Sequence, residues 1–344
     1  MKSISRRGIV VSAAAAGAAF GLNGPLEFVS SANAQLAGSG PGTKPGQKPA
    51  AAAPVNFVER GYAKFKVGDW NVTQVYDGIW EKAHDPAFIK NASVDETKAA
   101  LKAAGLTEEH VPIPFTITFA ERRGKIIMFD SGTGGQAGGP KAGLLAAKNM
   151  AAAGIDPTKV STIVVTHFHG DHIFGLMAKD TNAQLFPNAE IIVPEAEYKF
   201  WADPAVIAKL PEARQGLAKR IQATLPTWKN VKQVADNKDV APGIRSINTN
   251  GHTPGHTAYV LASGGAQMIV SGDVSNIQAL FVKNPGWQVA FDQDAVLAEK
   301  NRRALFERAV RGGAIVTGYH WGMPGAGRIK KDGKSYAMVP VKAV

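Results

Sequence analysis

The stretch Thr166-His167-Phe168-His169-Gly170-Asp171-His172 gathers three of the chain's eight histidines and one carboxylate within six positions. In extended backbone alternate side chains point the same way, so His167 and His169 can grip one cation as a pair. Gly170 permits a turn that aims Asp171 and His172 at a neighbouring position. Imidazole and carboxylate without sulfur suit zinc, manganese, iron or cobalt. The chain has no cysteine, so no thiolate serves as ligand or nucleophile and no disulfide forms.

Further candidates lie shortly after apolar runs. His167 follows Ile163-Val164-Val165, His252 follows the run beginning at Ile244, Asp273 follows Met268-Ile269-Val270, and His320 follows Ile315-Val316. Strand ends line one edge of a sheet, where loops from distant parts of a chain converge. His167, His169, Asp171, His172, His252, Asp273 and His320 make seven candidates, enough for two ions with one bridging carboxylate. Gly251-His252-Thr253-Pro254-Gly255-His256 offers two histidines, of which one should ligate and the other support the site by hydrogen bonds. His84 and His110 lack such a context and read as structural.

The elements that must hold these residues are legible as periodicity. Tyr62 to Val75 alternates apolar and polar residues across Gly68-Asp69, the pattern of a β-hairpin. Ile113 to Phe119 and Lys125 to Phe129 read as a second strand pair, followed by Asp130 and a glycine-rich turn from Ser131 to Gly135. Helices are expected at Leu144 to Ala153, Glu195 to Ala202, Ala213 to Leu225 and Gln293 to Arg311. Strands are expected at Thr162 to Val165, Ile191 to Val193, Ile244 to Ile247, Ala258 to Leu261, Gln267 to Val270 and Ala314 to Val316. Strands first and mixed units later suggest a layered α/β domain.

Taken together, Thr166 to His172, Gly251 to His256, Ser271-Gly272-Asp273 and Gly318-Tyr319-His320 resemble the metallo-β-lactamase superfamily, and Asp130-Ser131-Gly132 resembles its early strand-end motif. The resemblance covers about residues 56 to 344. Within the superfamily the chain is most similar to methyl parathion hydrolase and its relatives, through Phe186 to Ala189, Glu197 to Trp201, Val240 to Ile244, His252 to Val260 and Gly333 to Val341. The resemblance implies a four-layer αββα sandwich with a two-metal site at one edge of the sheets. It implies His167, His169 and His252 around one metal, Asp171, His172 and His320 around the other, and Asp273 bridging both with a hydroxide. It leaves His256 outside the ligand set. Its members are often dimers, so a homodimer is open here.

Two divalent ions, zinc first among the candidates, would activate a shared water and polarise a substrate oxygen. The expected reaction is hydrolysis of a small apolar ester, a lactone or a phosphotriester. Asp273 and Asp171 are the candidate catalytic carboxylates, Asp171 as ligand and as a carrier of a proton to the leaving group. Asp130 organises the metal loops by hydrogen bonding or caps a turn. Phe174, Trp201, Phe281, Trp287 and Trp321 are the candidate pocket walls. The loop from Gly134 to Gly139 lacks the bulky aromatic found in relatives, which suggests a more open entrance. Two other readings remain: a cysteine-free metallo-β-lactamase, and a single-iron, oxygen-using enzyme such as a persulfide dioxygenase. The presence of both Asp171 and His172 favours two metals.

At the N-terminus, Lys2, Arg6 and Arg7 precede the alanine-rich stretch Gly8 to Leu22, and Ser31-Ala32-Asn33-Ala34 offers a cleavage site. Residues 1–34 therefore read as an export signal, with Arg6-Arg7 suggesting the twin-arginine type. The mature protein is expected in the periplasm or outside the cell. Residues 35–55, rich in glycine, proline and alanine, read as a flexible leader, and residues 56–344 as the hydrolase domain. The formal net charge is +11, yet the basic residues are scattered without interleaved aromatics, so neither nucleic acid nor a membrane span is expected.

Overall fold

The computed structural model describes residues 55–344, which cluster as one compact unit. The expected signal peptide and nearly all of the expected leader lie outside the described residues.

Two seven-stranded sheets account for the strands. The first runs in sequence order: β1 (Tyr62–Val67), β2 (Trp70–Lys82), β3 (Val111–Arg122), β4 (Lys125–Phe129), β5 (Val160–Val164), β6 (Glu190–Pro194) and β7 (Val231–Val234). The second contains β8 (Asp239–Ala241), β9 (Ile244–Asn248), β10 (Thr257–Ser263), β11 (Ala266–Val270), β12 (Ile315–Thr317), β13 (Ala326–Asp332) and β14 (Ser335–Pro340), again each beside its chain neighbour. The hairpin and meander parts are antiparallel. Pairing becomes parallel from β4 through β7 and between β11 and β12, where helices supply the crossovers.

Period-two alternation decides which way each strand faces. Phe129, Val164 and Ile192 of the first sheet join Tyr259, Leu261, Met268 and Val270 of the second in a core between the sheets. Their neighbours Met128, Ile163, Ile191 and Val193 turn outward, under the helices Glu195–Ala202 and Glu212–Thr224. On the far side Val260, Ile269 and Val316 meet Leu305, Phe306 and Ala309 of the helix Ala295–Gly312. Each fully buried aliphatic side chain here contributes about 1.5–3 kcal/mol. Because both faces of both sheets are covered, the central strands read as unbroken apolar runs, and the result is the expected four-layer αββα sandwich.

Three local features complete the frame around the strand ends. β2 continues beyond the expected hairpin, shifting register between Tyr76 and Ile79 and reaching Lys82; Gly78, at φ +105, absorbs the irregularity. The helix Val94–Ala103, not anticipated from periodicity, is fixed by a Ser93/Glu96 capping box. The helix Ala295–Gly312 starts on the Asp294 side chain, which accepts a hydrogen bond from Leu297 N, and stops at Gly313 in the left-handed region.

Candidate metal centre

Four strand ends and one hairpin loop meet at one edge of the sandwich. Asp130 follows β4, His167 to His172 follow β5, His252 to His256 join β9 to β10, Asp273 follows β11, and His320 follows β12. Backbone bonds stitch the edge together: Thr257 N donates to Thr166 O at 3.0 Å, and Ser271 N to Thr317 O at 2.9 Å. Gly272 (φ +52) has no room for a side chain, since a Cβ there would lie 2.7 Å from His256 Nε2.

The seven candidates come together as two donor sets sharing a carboxylate. His169 Nδ1 lies 3.0 Å from His167 Nε2 and 2.9 Å from His252 Nε2. Asp171 Oδ2 lies 3.4 Å from both His172 Nε2 and His320 Nε2. Between the sets, Asp273 Oδ1 stands 3.4 Å from His172 Nε2, while Oδ2 stands 3.4 Å from His252 Nε2 and 3.2 Å from His320 Nε2.

Four of the imidazoles are oriented through their other nitrogen. His167 Nδ1 meets Thr166 Oγ1 at 3.0 Å, and His172 Nδ1 meets Asp130 Oδ2 at 2.8 Å. His252 Nδ1 meets Asp292 Oδ1 at 2.8 Å, and His320 Nδ1 meets Pro114 O at 2.9 Å. A proton held at each Nδ1 leaves the Nε2 lone pair facing the centre. His172 Nε2 and Asp273 Oδ1 are then buried without a hydrogen-bond partner. Converging lone pairs repel unless a cation lies among them, so the donor chemistry fits divalent metal ions: His167/His169/His252 for one, Asp171/His172/His320 for another, with Asp273 facing both.

Asp130 acts on this array from behind. Its Oδ1 accepts Thr166 N at 2.8 Å and its Oδ2 accepts the Thr166 hydroxyl at 2.9 Å, besides His172. His256 meets the Thr249 hydroxyl through Nδ1 and accepts Asp273 N through Nε2 at 3.0 Å, so it holds the shared carboxylate in place and stays out of both donor sets. Burial pushes its pKa down to about 3, aided by the field of His252, consistent with an accepting neutral ring. Electrostatics differ between the two sets. Burial and the neighbouring imidazoles hold His167 well below the usual histidine range. Burial also disfavours charge on His320, but Asp273 and Asp171 outweigh it and raise that residue to about 9.

The sequence profile of the metallo-β-lactamase superfamily matches residues 116–318, which takes in most of β3, all of β4 through β12, and every donor except His320. The chain belongs to the metallo-β-lactamase superfamily. The crystal structure of the hydrolase AbOPH, in the β-lactamase superfamily, is 29% identical and superposes with a TM-score of 0.74 over 82% of this chain and 97% of that one. AidC, a dizinc quorum-quenching lactonase solved with a product, shares the fold at 24% identity and a TM-score of 0.72, over 82% of this chain and 98% of its own. An N-acyl homoserine lactonase of a Bacillus species is 30% identical over 108 residues. That match spans 31% of this chain and 35% of the lactonase.

A cavity of about 210 Å³ opens onto the superfamily centre, lined by Trp80, Ile113, Phe115, Phe291 and Arg214 together with His169, Asp171, Asp273 and His320. None of the five expected wall aromatics is on it. Trp201 is fully buried and donates through Nε1 to Glu197 at 2.6 Å. Phe281 is fully buried beneath the Arg302 guanidinium, 4.9 Å from its ring centroid. Trp321 donates to Ser275 O and packs in the outer core of the second sheet. Phe174 carries the Arg220 guanidinium at 4.4 Å, and Trp287 packs against the outer core of the first sheet. Large aromatics gain most from complete burial, and Trp201, Phe281 and Trp321 are buried in the core while Phe174 and Trp287 are partly buried against it. The glycine-rich loop does border the cavity, through Ala137 and Gly138. Gly138 is at φ +83, and a Cβ there would lie 2.7 Å from Phe115, so a bulky residue has no room at that position.

Two supporting acids escaped the sequence reading. Asp292 orients His252 and is itself held by Arg302 at 3.3 Å. Glu197 accepts from Phe168 N, Trp201 Nε1, Thr253 Oγ1 and Gly255 N, joining the loop of His167 to the loop of His252. Asp292 has no local signature; Glu197 lay within a segment already singled out by resemblance. Among the described residues no helix is long and apolar enough to cross a membrane.

Proposed function

We propose that this chain is a binuclear metal-dependent hydrolase of esters and lactones, similar in its chemistry to methyl parathion hydrolase and to the acyl homoserine lactonases. The observation that carries the reading is the position of Asp273, whose two oxygens face donors of both histidine sets at 3.2–3.4 Å. A single-metal enzyme has no need of a carboxylate directed both ways. A paired divalent site supplies a nucleophilic water at neutral pH and Lewis-acid polarisation of the substrate.

His167, His169 and His252 would hold one ion and Asp171, His172 and His320 the other, with Asp273 placed to serve both. Asp130, Asp292, Thr166 and Pro114 fix the tautomers of four ligands. Asp171 reaches into the cavity, where it can pass a proton to a departing oxygen. Tyr319 donates to Asp171 O at 2.6 Å and anchors that turn. Trp80, Phe115 and Phe291 exclude water from the apolar part of the substrate. Zinc is the proposed metal, and phosphotriesters are proposed as further substrates because their hydrolysis uses the same nucleophile. Export to the periplasm or beyond is proposed from the N-terminal pattern.

The test is metal analysis of the purified protein together with a panel of lactones, aryl esters, phosphotriesters and nitrocefin. About two divalent ions per chain and cleavage of a lactone or ester are expected. One iron per chain with oxygen consumption would support the oxygen-using reading instead, and nitrocefin turnover alone the lactamase reading. Full activity in His169→Ala would defeat the proposal.

A further inference from the structure

The cavity wall contains one arginine. Arg214, on the helix Glu212–Thr224, donates through Nη2 to Phe291 O at 3.0 Å, and both residues line the space above His169, Asp171, Asp273 and His320. The rings of Trp80, Phe115 and Phe291 line the same cavity. A guanidinium in a partly apolar cavity loses hydration, and burial lowers its pKa, with Asp292 acting in the opposite direction. Asp292 is nevertheless not its partner. One oxygen of that carboxylate is taken by His252 at 2.8 Å and the other by Arg302 at 3.3 Å. Among the described residues no carboxylate lies within ion-pairing distance of Arg214.

A half-buried charge with a single backbone acceptor is costly unless something completes it. Arginine presents five donors in a planar fork suited to a carboxylate, and here most of the fork is uncommitted. Arg220, on the same helix, shows the alternative: it bonds Asn182 through Nε and Gln136 and Ala178 through Nη2, joining loops.

We infer that Arg214 is a specificity-determining residue that binds a carboxylate at the far end of the acyl part of the substrate. The preferred substrate is then an ester or lactone whose scissile carbonyl sits at the metal centre and whose distal carboxylate pairs with the guanidinium. This rests on the hydrolase reading above for the reaction, but not for the anion site itself. It narrows the expectation of a purely apolar ester: the rings hold the methylene chain and the arginine holds its end.

Two measurements keep the two claims apart. In the first, the metal-loaded protein is titrated calorimetrically with dicarboxylates from succinate to suberate and with the monocarboxylates of equal length. One carboxylate of each can meet the metals, so the difference within a pair reports the second carboxylate. At one chain length or more the dicarboxylate should bind about tenfold to a hundredfold more tightly, and R214Q should abolish that gap while R214K retains part of it. In the second, kcat/KM is compared for 4-nitrophenyl monoesters of the best dicarboxylic acid and for the matched amide-terminated ester. The ratio of the two should fall at least about tenfold in R214Q, chiefly through KM. Absence of a gap at every length, or a gap and a ratio that R214Q leaves unchanged, overturns the inference. A gap that depends on Arg214 without cleavage of any ester upholds the anion site and overturns the hydrolase reading.

Discussion

The Glu197 carboxylate accepts the Thr253 hydroxyl at 2.7 Å, linking positions 56 residues apart in sequence. Through the same group Phe168 N and Gly255 N are held at 2.9 Å each, so two loops carrying His167, His169 and His252 share one buried acceptor. Burial pushes the Glu197 pKa up while the four donors pull it back. Glu197→Gln keeps the shape but turns an acceptor into a donor among donors. A stability loss of about 1–3 kcal/mol is expected, seen as a fall of several degrees in Tm, with weaker metal retention on dialysis. An unchanged Tm would show that the loops are held by other contacts.

Asp130→Asn probes the partner of His172 without removing volume. The amide can still accept from Thr166, but it offers the His172 Nδ1 proton no anionic partner. Loss of such a supporting carboxylate typically weakens metal binding about 10–100-fold. The loss should fall on the Asp171/His172/His320 set, giving a protein that retains one ion under chelator competition and releases the other. Asp273→Ala should differ by lowering occupancy of both sets.

The legibility of the fold and site in the sequence depends on how far apart the cooperating residues lie. Four donors fall within one heptapeptide because strand alternation and a single turn suffice to aim them, and the apolar runs before His252, Asp273 and His320 marked the other strand ends. The strand order alone indicated a layered α/β domain, and the αββα arrangement came from the resemblance, because central strands covered on both faces read as apolar runs that do not say what covers them. The cavity wall was not readable. Trp80 reaches it only because β2 runs on past a bulge at Gly78, and Phe115, Arg214 and Phe291 come from three other parts of the chain. Nothing local distinguishes Phe291, on the wall, from Phe281, in the core. Asp292 is likewise invisible as the partner of His252, because 40 residues separate them.

Metal uptake should depend on pH with a definite sign. In the metal-free protein the Asp273 and Asp171 carboxylates hold His320 at about 9, above its ordinary value of 6.5. The proton on His320 therefore stabilises the metal-free fold fully below about pH 6.5, and that contribution is lost as pH rises through about 9. A cation must displace this proton, so apparent affinity should rise with pH up to about 9 and binding at pH 7 should release protons. Calorimetry in buffers of different ionisation enthalpy counts the protons. Affinity that is flat from pH 7 to 9 would contradict the assignment.

Asp77 gives a stability prediction away from the ligands. It lies buried beneath the glycine-rich loop, accepting Ala146 N at 2.9 Å and Thr133 N at 3.3 Å. Desolvation raises its pKa from 3.8 to about 6, against the pull of those backbone donors. The folded pKa lies above the unfolded one, so the contribution of Asp77 is complete below about pH 4 and is lost as pH rises through about 6. A shift of about two units corresponds to about 3 kcal/mol at most. Asp77→Asn cannot ionise, although its amide leaves one of the two backbone donors poorly matched. The variant should therefore be the less stable protein at pH 4, and its deficit should shrink by up to about 3 kcal/mol by pH 7. Urea unfolding of the metal-free wild type and variant at both pH values measures the change, and a deficit that stays constant would show that Asp77 ionises no differently in the folded and unfolded chains.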